Sequence, residues 1–273
     1  MIALIGCGEM GTKILKKLLE KNIFDQKEII AADIKKERLD YIKEKFKVNV
    51  SAENKEAAEK ADTILMAVRP QEMKKVLEEI SSTITKNKII ISVAAGVKLN
   101  FYEKFFPETP VFRVMPNPFT ESSSGVIAYC RNRHCDKSSI KKVEKTFRPL
   151  CEKLIEIKEE QMNVFTVIAS CSSAHFYWLF DVLTAFGEEN GFSKEKAKEI
   201  VLGSAEAAAK EAGKTGKELK EMIKEACTPK GLTIEGINHL KEKQAEKTVR
   251  KALEKTIKRA EEIEKELIDA IMP

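Results

Sequence analysis

Apolar residues in the first part of the chain fall in short, nearly unbroken runs at residues 2–5, 29–32, 63–67, 89–93, 111–114, 126–129 and 154–157. Runs this short do not make core helices, and they lack the alternation of half-exposed strands. They read as strands buried on both faces. Amphipathic stretches separate them, such as Ile14, Leu15, Leu18 and Leu19 at helical spacing, so the pattern predicts βαβ units around a parallel sheet. From about Gln161 the pattern turns helical, over 164–188, 193–212 with Ser193 as N-cap, 216–226 and 232–271, with an interruption near Gln244. The expected architecture is an α/β domain with a parallel-sheet core over residues 1–158, then an all-α domain over 159–273. The last helix carries a stripe of Leu240, Val249, Ala252, Leu253, Ile257, Ala260, Ile263 and Leu267. Such a stripe needs a partner, which predicts a homodimer or an assembly of dimers built on the helical half.

The first strand runs directly into Gly6-Cys7-Gly8-Glu9-Met10-Gly11, a G-x-G-x-x-G that opens the first helix. In that context Gly6 permits a tight turn, Gly8 lets backbone approach a pyrophosphate, and Gly11 lets the helix pack on the strand. The α/β half is therefore expected to be Rossmann-like and to bind a dinucleotide. Asp33 closes the second strand, where a carboxylate can accept hydrogen bonds from ribose hydroxyls. Asp33 favours NADH, whereas Lys35, Lys36 and Arg38 nearby favour NADPH; the balance of the two leans to NADH.

Charge changes this picture little: 48 Lys+Arg against 43 Asp+Glu leaves +5, interspersed along helices. That pattern describes solvated helix faces rather than a nucleic-acid arm, and no apolar run has the length of a membrane span. The first strand already begins at residue 2, so no signal peptide is expected and the cytoplasm is the expected compartment. The six cysteines form no C-x-x-C pairs and are expected to be reduced thiols. Cys130, His134, Cys135 and Cys151 fit no common zinc spacing, so no metal is expected.

Several separated segments carry a resemblance. Gly6-Cys-Gly-Glu-Met-Gly11, Ala67-Val-Arg-Pro-Gln71, Ser92-Val-Ala-Ala-Gly-Val97, Arg113-Val-Met-Pro-Asn117, Val201-Leu-Gly-Ser-Ala205 and Cys227-Thr-Pro-Lys-Gly-Leu-Thr-Ile-Glu-Gly236 resemble motifs of the Δ1-pyrroline-5-carboxylate reductases, nearly end to end. The resemblance implies NAD(P)H-dependent reduction of a cyclic C=N bond, the last step of proline biosynthesis. It implies that Val68, Arg69 and Pro70 line the cofactor's ribose and pyrophosphate. It also places Ala67 beside them, Ala94 and Ala95 on the nicotinamide side, Asn54 at the adenosine ribose and Asn117 near the nicotinamide. In the helical half, the loop of Lys230, Gly231, Leu232 and Thr233 would seat the substrate carboxylate on backbone N–H groups.

Two segments depart from that pattern. Lys230 stands for the family's first glycine, and Leu232 for a threonine whose hydroxyl is thought to sit beside the substrate nitrogen. Leu cannot hydrogen bond, so proton delivery would fall to Thr233, to water, or to His175, which appears within Ser170-Cys-Ser-Ser-Ala-His-Phe176 where the family has glycine and proline. The departures leave open a reductase of another cyclic imino acid and a non-catalytic paralogue that still binds a nicotinamide dinucleotide.

Overall fold

The computed structural model describes residues 1–117, 119 and 122–271. In chain order its elements begin β1 (Ile2–Ile5), α1 (Glu9–Glu20), β2 (Ile29–Ala32), α2 (Lys36–Phe46), β3 (Asn49–Ser51), α3 (Asn54–Lys60) and β4 (Thr63–Met66). They continue with α4 (Met73–Ile80), β5 (Ile89–Ser92), α5 (Leu99–Phe105), β6 (Val111–Met115), β7 (Val126–Arg131), α6 (Lys137–Phe147) and β8 (Lys153–Glu156).

The strands form one sheet in the order β3-β2-β1-β4-β5-β6-β7-β8. The first six positions reproduce the doubly wound order, with the direction of winding reversing between β1 and β4. Every residue of β1, β2, β4 and β5 is buried. The side chains split into two apolar clusters, Ala3, Ile5, Ile64 and Met66 on one face and Ile2, Leu4, Leu65 and Ile91 on the other. Helices cover both faces, which is why these strands show no polar alternation in the sequence.

The structure bears out the parallel core and adds two features that the apolar runs did not show. β3 is an additional strand, too short and too polar (Asn-Val-Ser) to leave a hydrophobic run, and it is recruited by pairing with β2. The sheet is also not wholly parallel, since β7 runs antiparallel to β6 and β8 then pairs parallel to β7. The physical reason is the connection: only residues 116–125 link β6 to β7, and a parallel crossover needs about a dozen residues or more, usually including a helix.

The helical part comprises α7 (Met162–Phe165), a π-helical turn (Thr166–Cys171), α8 (Ser172–Glu189), α9 (Lys194–Thr215), α10 (Leu219–Ala226), α11 (Leu232–Glu242) and α12 (Ala245–Ile271). The expected helix over 164–188 is therefore two α-helical pieces joined by a π turn. Ser193 caps α9, accepting from the Lys196 N–H. The expected break lies at Gln244, whose φ of +53° ends the α11 direction of the chain. By internal contacts the chain divides into two compact units, residues 1–170 together with the chain from Ile257 onward, and residues 171–256. Within the second unit α8 and α9 pack together; a Cβ on Gly187 would lie 2.9 Å from the Ala197 Cβ.

Candidate functional site

β1 pairs Ile5 with Ala32 of β2 and with Met66 of β4, so Gly6, Asp33 and Ala67 leave the sheet side by side at its carboxyl edge. The Gly6 N–H donates to the Ala32 carbonyl and the Ala67 N–H to the Ile5 carbonyl, both at 2.8 Å. Gly6 has φ +98°, and a Cβ there would lie 2.7 Å from the Ala67 carbonyl carbon, so only glycine fits. A Cβ on Gly11 would run into the Gly6 carbonyl oxygen. Gly8 differs: it is the N-cap of α1, no side chain caps the helix, and nothing lies within 4 Å of where its Cβ would be. The open space over Gly8 and the uncapped first turn of α1 form a cradle suited to an anion.

This edge carries a cleft of about 650 Å³. Its lining takes Gly6, Gly8, Glu9 and Met10 from the glycine turn, Asp33 and Lys35 after β2, and Asn54 at the start of α3. Ala67, Val68, Arg69 and Pro70 follow β4, and Ala94 and Ala95 follow β5. Cys7 and Gly11 lie outside the lining, in supporting roles beneath the turn. Asn117 also lies outside it: its buried amide donates to the Val126 carbonyl at 2.8 Å and accepts from the Phe119 N–H at 2.7 Å, shaping the β6–β7 connection. Sequence reasoning gave no cleft role to Ile34, Glu72, Lys75, Val76, Glu79 and Val93, all of which line the cleft with Arg38. The signal for four of them was present, since positions 72, 75, 76 and 79 share one helical face after the 67–70 turn.

Hydrogen bonds fix the polar groups. Asp33 Oδ2 accepts from the Cys7 N–H at 2.8 Å and its Oδ1 from the Lys35 N–H at 2.9 Å. The carboxylate is thus held against the glycine turn. Burial, and then the Asp33 charge, push the Cys7 thiol up to about 12, so Cys7 stays protonated through neutral pH, its thiol donating to the Ala32 carbonyl at 3.6 Å. Asn54 Nδ2 donates to Glu79 Oε2 at 2.7 Å, tying α3 to α4 at the cleft wall. Past β5, Ser92 Oγ accepts from the Tyr102 hydroxyl at 2.6 Å and from the Ala94 N–H at 3.2 Å. Burial raises the Tyr102 phenol far above its ordinary range, so it remains a donor to Ser92.

His175, Lys230, Gly231, Leu232 and Thr233 belong to the second unit. His175 is exposed on α8 next to Phe176, Tyr177 and Trp178, which are 56%, 59% and 67% exposed in the single chain. Gly231 is the N-cap of α11, again with no side-chain cap, and Lys230 holds φ +61°, a left-handed conformation natural to glycine. Leu232, the first residue of α11, is 95% exposed and Thr233 is exposed beside it.

All six cysteines are free, and Cys130, Cys135 and Cys151 are buried, their thiols raised by burial. Among the described residues no group of His, Cys, Asp or Glu is arranged to hold a metal ion, and no helix is long and apolar enough to cross a membrane.

Residues 159–263 match the family model described as pyrroline-5-carboxylate reductase dimerisation, and residues 1–96 match that described as NADP oxidoreductase coenzyme F420-dependent. A pyrroline-5-carboxylate reductase of Aquifex aeolicus is 30% identical over 267 residues, covering 96% of this chain and 97% of that protein. The structure of a pyrroline-5-carboxylate reductase from Coxiella burnetii superposes with a TM-score of 0.85 at 26% identity, over 96% of this chain and 97% of that one. A Plasmodium falciparum pyrroline carboxylate reductase with NADP bound gives a TM-score of 0.82 at 25% identity, over 95% and 96%.

The geometry at Gly8 sets a first expected outcome. Gly8→Val places its side chain in open space, so the variant should fold with a nearly unchanged melting temperature. A pyrophosphate could then no longer reach the turn, and calorimetric titration should show dinucleotide affinity reduced by about a hundredfold or more. Unchanged affinity would remove the cleft as the dinucleotide site.

Proposed function

Because the chain belongs to the pyrroline-5-carboxylate reductase family, we propose that it reduces 1-pyrroline-5-carboxylate to L-proline with NADH or NADPH. The observation that carries this reading is the cleft at the winding reversal, where Gly6 and Gly8 meet the 67–70 and 94–95 segments. When bound, the reduced nicotinamide supplies a hydride from C4 to the imine carbon, a proton joins the ring nitrogen, and C=N becomes C–N as the nicotinamide is oxidised.

The chain's own residues then bind and orient. The Gly6–Gly11 turn and the first turn of α1 hold the pyrophosphate, with Val68, Arg69 and Pro70 alongside. Asp33, Lys35 and Asn54 take the adenosine ribose, Ala94 and Ala95 the nicotinamide side, and Asn117 keeps the following loop in shape. In the helical unit, the uncapped N–H groups of α11 and the Lys230 cation seat the substrate carboxylate. Thr233, His175 or water delivers the proton. Leu232 favours a second reading, in which the ring reduced is that of another cyclic imino acid. Exposed aromatics on α8, within the part that matches a dimerisation family, support a homodimer or an assembly of dimers. The free cysteines support a reducing cytoplasmic setting.

Purified protein with NADH and pyrroline-5-carboxylate should lose nicotinamide absorbance, and Leu232→Thr should raise kcat by up to about a hundredfold by restoring a hydrogen bond at the nitrogen. A fall in activity on another cyclic imine with the same substitution would establish the second reading. If neither form oxidises NAD(P)H with any cyclic imine while both bind it, the enzyme reading fails.

A carboxylate at position 33 repels a 2′-phosphate, so NADH should bind more tightly than NADPH. Asp33→Ser should shift the ratio of the two dissociation constants toward NADPH by about tenfold, and a wild-type preference for NADPH would show that Lys35 and Arg38 prevail.

Light scattering at micromolar concentration should give a mass of at least twice the 30.8 kDa chain; a monomer mass would contradict the assembly.

A further inference from the structure

The end of α12 belongs to the same compact unit as the sheet. Leu267 is 5% exposed and joins the apolar cluster of Ala94, Val97, Tyr102, Met162 and Phe165. It presses on Gly96, where φ is +78° and a Cβ would lie 2.8 Å from Leu267 Cδ1. One turn earlier, the buried Glu264 has its Oε2 at 3.4 Å from Lys98 Nζ and accepts from Asn163 Nδ2 at 3.3 Å. Glu159 Oε1 closes the arrangement, accepting from the Leu99 N–H at 2.8 Å and from Arg113 Nη1 at 2.6 Å, with Arg113 only 3% exposed. The charged cavity here sets Lys98, Arg113 and Lys265 against Glu159, Glu160, Glu261 and Glu264. Lys98 pairs with Glu264 and Arg113 with Glu159, and these two pairs form a brace.

We infer that Leu267 and Glu264 are positioning residues for the reaction, clamping the 93–98 loop from behind while Val93, Ala94 and Ala95 of the same loop line the cofactor cleft in front. The inference rests on the cofactor reading above. The loop is anchored at its start, where the Val93 N–H donates to the Met66 carbonyl at 3.0 Å and the Ala94 N–H to Ser92 Oγ. At its far end Glu159 holds the Leu99 N–H. Between these anchors stands Gly96, the residue with the greatest backbone freedom. Leu267 removes that freedom by contact, and the Glu264–Lys98 pair fixes the next residue but one. A wall displaced by about 1 Å at the reacting end can cost on the order of a hundredfold in rate, so the clamp bears on the nicotinamide half of the cofactor and leaves the adenosine half alone.

The test uses the full chain. Leu267→Ala should accelerate amide hydrogen exchange at Ala95, Gly96 and Val97, measured without cofactor, more than at residues 6–11. It should lower kcat by about tenfold and weaken NADH binding, while affinity for ADP-ribose, which lacks the nicotinamide, stays within about twofold of wild type. Leu267→Met, close in volume, should restore all three. Should Leu267→Ala not fold, Glu264→Gln, which keeps the size and loses the charge, is read in the same way. Equal losses for NADH and ADP-ribose, unchanged exchange at 95–97, or no rescue by Met would each overturn the inference. If the wild type binds neither nucleotide, the cofactor reading fails, and the exchange comparison still decides whether the clamp exists.

Discussion

Gly6 and Ala67 come so close that no side chain fits between them, and the cleft depends on that approach. It follows from register: Ile5 pairs with Met66, so the next residue of each strand must diverge at the same height, one into the glycine turn and the other into the 67–70 segment. Gly11 repeats the constraint one helical turn on, letting α1 lie against the Gly6 carbonyl. With both glycines in place, α1 begins at the carboxyl edge of the sheet with its first N–H groups free of any side-chain cap. The anion cradle is therefore a by-product of close packing, and backbone rather than side-chain charge provides it.

The same economy governs the polar groups. Among the cleft-lining side chains, acidic Glu9, Asp33, Glu72 and Glu79 face basic Lys35, Arg38, Arg69 and Lys75, so the wall has little net field with which to capture an anion. Selectivity must come from where each charge is fixed. Asp33 is fixed best, with one oxygen on the Cys7 N–H and the other on the Lys35 N–H. Those bonds make the identity of the residue at 33 matter to the turn as well as to a ribose, since its loss frees two N–H donors that must find water.

Much of this was legible in the sequence because the strands are buried on both faces and the glycines stand directly after the first. Buried strands leave continuous apolar runs, and the 2–5, 29–32, 63–67 and 89–93 runs coincide with β1, β2, β4 and β5 to within a residue. What did not register was set by neighbours. Asn49–Ser51 becomes a strand because β2 offers an unpaired edge, and a three-residue polar segment carries no period of its own. The reversal at β7 was readable from the short 116–125 link, yet an apolar run alone does not state its direction. Asn117 reads equally as a ligand contact or a turn former; the fold uses it to hold the β6–β7 connection. Leu267, part of an evenly spaced apolar stripe, gave no hint that it differs from Leu240 or Val249, which are exposed in the single chain while Leu267 is buried.

Near the cleft, Cys7 and Tyr102 are displaced upward from their ordinary titration by burial. They hold their protons through neutral pH and so pass none to a substrate; the cleft orients. On the proposed reading, proton delivery falls to Thr233, His175 or water, and the 229–233 loop would combine two separable functions. The anion seat proposed there would be backbone, made by the uncapped start of α11 after Gly231, where a Cβ would strike Thr228 Oγ1. Lys230 adds a cation at the cost of a left-handed φ, a strain of about 1 kcal/mol or more for a residue with a Cβ. Leu232 in place of threonine leaves every one of those N–H groups in place and exchanges a hydroxyl for a larger apolar group. On the proposed reading, carboxylate binding and hydrogen bonding to a ring nitrogen would depend on different atoms of the same turn, and a chain can lose the second while keeping the first.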